Sequence, residues 1–361
     1  MRILLVSHPP VTAELGAAQI ALNLAEGLRA LGHDAAAWSP EPLPPGTRWW
    51  NLWRRQTEGI ERYVESHGPF DVIDTPAISA SREVARHGRR LVVRSVQPEL
   101  RYLWRDLRSD LSRRPSPRAL ANALLGAPRA GAITGGWRRA DAILCLGSHE
   151  LEWMRRRFPR WTGKLGVYLC ALPAGERVVL AEVRRQRTGP GRDGLRFLWM
   201  GRWSAQKGTA RLLRFLRERI ASSPGDTFTL AGCGPAAERD LPAKWLAAGR
   251  VRVVPAFSRA ELPELLASHD AGLFTSGVEG WGLSLTEMLE SGMTVFATEA
   301  GAVADLRPWF PHSLRPFPPP TAIELPAERE DLEANGYYAQ FDWRRIAEDY
   351  ERQALVPERE R

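Results

Sequence analysis

The 361-residue chain has little lysine, little cysteine and no long apolar run. Three lysines, Lys164, Lys207 and Lys244, stand beside 47 arginines. Three cysteines, Cys145, Cys170 and Cys233, are scattered and odd in number. That suggests neither a disulfide framework nor a metal knuckle and suits a reducing cytoplasm. No stretch reaches the roughly 18 apolar residues that a membrane-crossing helix requires. The opening "MRILLVSHPP" is broken by proline too early for a signal peptide and reads as a first buried strand. No Gly-x-Gly-x-x-Gly follows that strand, which argues against an NAD-dependent oxidoreductase.

What is present is an ordinary globular composition, 44% hydrophobic and 25% charged. The length exceeds what one hydrophobic core usually serves, so two domains are expected. The formal charge of +8 is uneven. From Arg82 to Arg160 there are 18 arginines and 7 acids, 18 − 7 = +11, which leaves 8 − 11 = −3 for the rest. Such a basic half could face an anionic membrane or an acidic acceptor; nucleic acid is not the expected partner. The use of arginine for lysine throughout is the competing explanation, a matter of genome composition and not of function.

Apolar runs alternate with helical patterns along the chain. "RILLVS", "DAAAW", "FDVIDT", "RLVVRS" and "DAILCLGS" read as strands, with "GAAQIALNLAEGLRALGH" and "SHELEWMRRRF" as helices. After the Gly- and Pro-containing "RQRTGPGRDG" a second series begins: "LRFLWMG", "TFTLAG", "VRVVPA", "DAGLFTS" and "TVFAT", each followed by a helix or turn. Two series of strand–helix alternation predict an α/β protein of two doubly wound, Rossmann-like domains. The expected limits are 1–170, a linker over 171–194, 195–340, and a last helix over 341–361.

Open parallel sheets bind ligands outside the carboxyl ends of their strands. That rule selects loops 9–16, 95–99, 201–207, 232–235, 276–282 and 298–302. In "GRWSAQKG", Gly201 permits close backbone approach while Arg202 and Lys207 could bracket a phosphate at a helix N-terminus. The plainer reading is a solvated turn. Lysine at 207, in a chain that otherwise prefers arginine, suggests a need for a compact ammonium. In "EGWGLSLTE", Glu279 lies at a strand end, Gly280 and Gly282 free backbone N–H groups, and a helix starts near Leu283. Glu287 lies one turn into that helix, where an acid also favours the dipole. Two carboxylates around an anion cradle fit a ligand with hydroxyls on both sides of a phosphate, the shape of a nucleoside diphosphate sugar.

This pattern resembles the retaining GT-B glycosyltransferases, most closely glycosyltransferase family 4 (glycosyl transferases group 1). The resemblance is carried by "LGAAQIALNLAEGLRALGH", "GRWSAQKG", "TLAGCGP", "LPELLASHDAGLFTS", the two glutamates with seven residues between them, and "TVFATEAGAVADL". It implies two domains facing across a cleft, with the last helix crossing back onto the first. It implies a donor site of Gly16, Ala17, Gly201, Gly232, Gly234, Gly280, Trp281, Gly282, Leu283 and Glu287. Glu279 would contact sugar hydroxyls and Glu287 the ribose, while Arg202 and Lys207 would neutralise the leaving diphosphate; Glu279, Arg202 and Lys207 form the catalytic set. No Asp-x-Asp pair occurs, so no metal is implied, and no cofactor beyond the donor substrate. The acceptor, a glycan, lipid or small molecule, would meet Val96, Gln97 and Glu99 in a cytoplasmic protein with peripheral attachment at the inner membrane face left open.

The chain also departs from that family. "VVRSVQPEL" has Val96 where the family usually has histidine, and Gln97 where it has glycine. Ala17 and Ala302 each replace a glycine, and the linker run Pro-Asn-Gly-Val-Asp is missing from "YLCALPAGERVV". The alternative is therefore a non-catalytic relative that binds a nucleotide sugar or a partner enzyme. A sugar-nucleotide epimerase shares the architecture but should show paired acid and base groups, and no such pair stands out.

Overall fold

The computed structural model describes residues 1–12, 16–112, 117–187, 194–325, 337 and 341–355, with the backbone alone at 109–112, 118, 119 and 122. The chain divides into two compact units, Met1–Ala171 with Gln340–Arg361, and Leu172–Ala339.

The first unit runs β1 (Arg2–Val6), α1 (Gly16–Ala30), β2 (Asp34–Trp38), α2 (Leu52–His67), β3 (Phe70–Thr75), a 3-10 turn (Ala77–Ser79), α3 (Arg82–Arg86), β4 (Gly88–Arg94), α4 (Glu99–Ser112), α5 (Pro117–Arg139), β5 (Ala142–Leu146), α6 (Ser148–Arg157) and β6 (Leu165–Tyr168). Its sheet has the order β2-β1-β3-β4-β5-β6, with every pair parallel. Four of five β1 residues and all of β5 are buried, as strands covered by helices on both faces must be.

The second unit starts with α7 (Ala174–Gln186) and continues β7 (Arg196–Met200), α8 (Thr209–Ser222), β8 (Thr227–Ala231), α9 (Ala236–Asp240), α10 (Ala243–Ala247), β9 (Val251–Val254), α11 (Leu262–Ala267), β10 (Ala271–Phe274), α12 (Leu283–Glu290), β11 (Thr294–Ala297), α13 (Val303–Leu306) and β12 (Leu314–Pro316). Its parallel order is β12-β11-β10-β7-β8-β9. Phe197 stacks on Phe228 at 5.0 Å beneath Leu212, Phe215 and Leu216 of α8. Both units are doubly wound, and strand order reverses beside β1 in one and β7 in the other.

The expected linker, 171–194, is mostly not one. Its central part is α7, anchored within the second unit by Arg184 donating to Glu290 O (2.7 Å) and Arg187 to Leu266 O (2.7 Å). Residues 188–193 lie outside the described residues. The last helix, α14 (Trp343–Tyr350), is capped by Asp342 and packs on the first unit. Gly27 of α1 makes this possible: a Cβ there would stand 2.5 Å from Trp343 O. Tyr350 Oη donates to Asp74 Oδ2 (2.8 Å), inside the buried Asp74–Arg94 pair (2.9 Å).

Candidate functional site

Two loops at the carboxyl ends of β7 and β10 interlock in the second unit. Gly277 N donates to Gln206 O (2.8 Å), and Thr275 Oγ1 donates to Lys207 O (2.8 Å) while accepting from Trp199 Nε1 (3.0 Å). Gly208 makes the close approach possible. Its φ is +73°, and a Cβ would lie 1.9 Å from Thr275 O. At that position any side chain would force the two loops apart.

This contact brings together two residues 72 positions apart. Lys207 Nζ lies 2.6 Å from Glu279 Oε2, and Ser276 Oγ donates to the same oxygen at 3.0 Å. Both members of the pair are largely buried, at 18% and 11% side-chain exposure. Charge-assisted bonds of this kind are strong where water is scarce. Gly282, at φ +92°, then turns the chain into α12, with a Cβ position 2.8 Å from the Phe274 ring.

Glu287 is the fifth residue of α12, buried with 6% of its side chain exposed. Its Oε1 meets Arg259 Nη1 at 2.6 Å, and Arg259 Nη2 reaches Glu176 Oε1. Burial pushes the Glu287 carboxyl above the usual range, while the Arg259 guanidinium pulls it back down. Arg259 and Glu176 were not found by the sequence reasoning. Arg259 follows β9, so the strand-end rule that selected the other loops also points to it.

The other residues expected at a donor site lie on several loops. Arg202 is exposed and has no partner among the described residues. Trp281 is buried and its Nε1 donates to Thr286 Oγ1 (3.1 Å), so only its backbone can meet a ligand. Its carbonyl accepts from Ala302 N (2.9 Å). Gly280 is buried in the same turn and Leu283 opens α12. The N–H groups of Gly232 and Gly234 are engaged with Val254 O and Pro255 O, both at 2.9 Å. Gly16 and Ala17 open α1 in the other unit, beside residues 13–15 that lie outside the described residues.

In the first unit, Val96 is half-buried and Gln97 exposed. Glu99 heads α4 and takes the backbone N–H groups of Ile78 and Ala77; burial still pushes its carboxyl up to about 8. Its neighbour Glu150, not singled out in the sequence, is pushed up to about 7 by burial. Glu150 accepts from Ser95 Oγ (2.8 Å) and Leu146 N (2.9 Å), which ties the ends of β4 and β5. Among the described residues no group of three His, Cys, Asp or Glu side chains could hold a metal ion.

Residues 194–308, which contain both loops, match the family described as Glycosyl transferases group 1. The uncharacterized glycosyltransferase YqgM of Bacillus subtilis (strain 168) is 29% identical over 113 residues, 30% of this chain and 32% of that protein. The chain thus matches about a third of that relative's length. Sucrose-phosphate synthase of Thermosynechococcus elongatus superposes with a TM-score of 0.62 at 16% identity, covering 98% of this chain and 94% of that one. Anabaena Alr3699/HepE, solved in complex with UDP and glucose, gives 0.52 at 17% identity over 85% and 83%. At such identities the likeness establishes the fold, the GT-B class of two Rossmann-like units.

Proposed function

We propose that the chain is a retaining glycosyltransferase that moves a hexose from a nucleoside diphosphate sugar without a metal ion. The observation that carries this reading is the Lys207–Glu279 pair on interlocked loops, followed by the buried Glu287, all inside the segment that matches Glycosyl transferases group 1. The complex of Alr3699/HepE with UDP and glucose supports a donor of this class.

The geometry suggests an exchange of partners. Without ligand, the ammonium of Lys207 is neutralised by Glu279. A diphosphate arriving at the N-terminus of α12 would take over Lys207, with Arg202 free to join it. Glu279 would then turn both oxygens to sugar hydroxyls. As the glycosidic bond breaks, negative charge collects on the leaving phosphate, and fixed cations there stabilise the transition state. Glu287, oriented by Arg259, would hold the ribose. In this reading the acceptor binds at the strand ends of the first unit, near Val96, Gln97 and Glu99.

A second reading, a non-catalytic relative that binds a nucleotide sugar or partner enzyme, is favoured by Val96, which cannot hydrogen-bond. Calorimetry with UDP-glucose, GDP-mannose and ADP-glucose, combined with release of free nucleoside diphosphate, separates the two. Binding with slow release supports the enzyme; binding with none supports the binding protein. The anomeric configuration of a transferred sugar tests retention, and an unchanged rate in EDTA tests metal independence.

A peripheral contact with an anionic bilayer belongs to this proposal. It is supported by Leu120 and Leu124, one turn apart on α5 inside the arginine-rich stretch, which are 65% and 71% exposed.

A further inference from the structure

The strand ends of the first unit hold a hydrogen-bonded chain that the reading above does not use. His8 lies two residues beyond the end of β1. Its carbonyl accepts from Ser39 Oγ and from Gln56 Nε2, each at 3.4 Å. Its ring Nε2 lies 2.8 Å from Ser79 Oγ, in the 3-10 turn after β3. Ser79 Oγ is 2.9 Å from Thr57 Oγ1 of α2, and Thr57 Oγ1 donates to Trp53 O at 2.9 Å.

Counting protons along this chain fixes the tautomer. The one hydroxyl proton of Thr57 is used on Trp53 O, so Ser79 must donate to Thr57. The one proton of Ser79 is then used as well, and Ser79 Oγ can only accept from His8. His8 therefore carries its proton on Nε2 and presents a lone pair at Nδ1. Burial lowers the pKa of this imidazole to about 4, so the ring is neutral at pH 7. Among the described residues Nδ1 has no partner, and His8 is only half-buried. The 3-10 turn that holds His8 through Ser79 also holds Glu99, through the N–H groups of Ala77 and Ile78.

We propose that His8 Nδ1 accepts a hydrogen bond from a hydroxyl of the acceptor, supplying from β1 the imidazole that Val96 does not supply after β4. This rests on the transferase reading above. The chemistry favours a neutral, sugar-like polyol: Nδ1 accepts, and Glu99, still protonated near neutral pH, can donate. The fixed carbonyl and ring of His8 present Nδ1 in one direction, which a positioning group requires.

Paired substitutions distinguish this role from a structural one. His8→Asn keeps an acceptor near the Nδ1 position and loses the bond to Ser79. His8→Gln keeps a donor toward Ser79 and loses Nδ1. The probe is methyl α-D-glucoside, titrated into the 15N-labelled full chain while the imidazole nitrogens are followed by NMR. The free protein should show the Nε2–H tautomer, and the Nδ1 resonance should move on titration. The affinity of His8→Gln should fall about tenfold, as for one lost hydrogen bond, and His8→Asn should fall less. An Nδ1–H tautomer, an unmoved Nδ1 resonance, or His8→Gln binding as well as wild type would overturn the proposal. Diphosphate release from the donor, measured in parallel, decides the transferase reading separately: probe binding without release rejects transfer, and release without any change at His8 rejects the role of His8.

Discussion

The ligand ends of the two sheets are built from different chemistry. The second unit uses charge on charge: Lys207 on Glu279, and Arg259 between Glu287 and Glu176. The first unit has one buried ion pair, Asp74 with Arg94, and otherwise relies on hydrogen bonds without a paired charge: His8 to Ser79 to Thr57, Glu99 on backbone N–H groups, and Glu150 on Ser95 and Leu146 N. Yet the stretch with an excess of 11 arginines lies in the first unit. Regional charge therefore does not locate charged chemistry. Among the described side chains nine of those arginines are exposed, whereas five charged side chains, Lys207, Glu279, Arg259, Glu287 and Glu176, pair with one another in the second unit.

The largest expected effect breaks the clasp that assembles those charges. Gly208→Ala places a methyl 1.9 Å from Thr275 O and requires a left-handed backbone. It should lower stability by about 2–4 kcal/mol, read as the denaturant midpoint of the second unit's tryptophan signal. A loss below the error of that measurement would mean that the loops are not held together as described. Arg259→Met comes next, leaving Glu287 buried beside Glu176 with no cation. A destabilisation of about 2–3 kcal/mol at pH 8 is expected, less than for a wholly buried pair because Arg259 is 29% exposed and Lys207 still acts on Glu287. Restoration by a second change, Glu287→Gln, would show that the cost lies in the carboxylate that lost its hydrogen-bonded partner.

The first unit should respond to pH through two carboxyls at its strand ends. Glu99 and Glu150 titrate near 8 and 7 when folded, above the ordinary glutamate value of about 4.3. These two carboxyls then hold more protons in the folded than in the unfolded state between those limits, so their contribution to stability falls as pH rises from about 4 to 8; His8, lowered to about 4, acts in the opposite sense below about 6.5, so the net fall is read between about 6.5 and 8. Below that window both states are protonated and the effect vanishes. Glu99→Gln should flatten the upper part of this slope in urea titrations; an unaltered slope would mean the carboxyl is already ionised. The smallest effect concerns the surface. Leu124→Asp should weaken binding to anionic vesicles by several-fold at low salt, with wild-type binding falling steeply as salt is added. Equal recovery on neutral and anionic vesicles would leave the arginines as composition alone.

Much of this was legible in the sequence because buried parallel strands write themselves as short apolar runs. β7, β8 and β10 were readable for that reason, and with them the loops that hold Lys207 and Glu279. β6 and β12 were not: "LGVY" contains glycine and "LRP" ends in proline at a sheet edge, where packing rather than propensity makes the strand. The Arg259–Glu287 and Arg259–Glu176 bonds join residues 28 and 83 positions apart, and His8–Ser79 spans 71. No local spacing encodes such pairs; only the strand order brings them together. The missing histidine at 96 was visible, but the imidazole on the neighbouring side of the sheet became meaningful only once β1, β3 and β4 were known to lie side by side.

The central claim is that the two carboxylates of the second unit do different work, Glu279 on the sugar and Glu287 on the ribose. Calorimetry on Glu279→Ala and Glu287→Ala, each with UDP and with UDP-glucose (or whichever base the wild type prefers), tests it directly. Glu279→Ala should bind the free diphosphate about as well as wild type, or better once Lys207 is released, and lose about 1–3 kcal/mol on the intact donor. Glu287→Ala should lose a similar amount on both ligands, because both carry the ribose. Two variants that behave alike on both ligands would contradict the account and leave the glutamates as structural acids at the start of a helix.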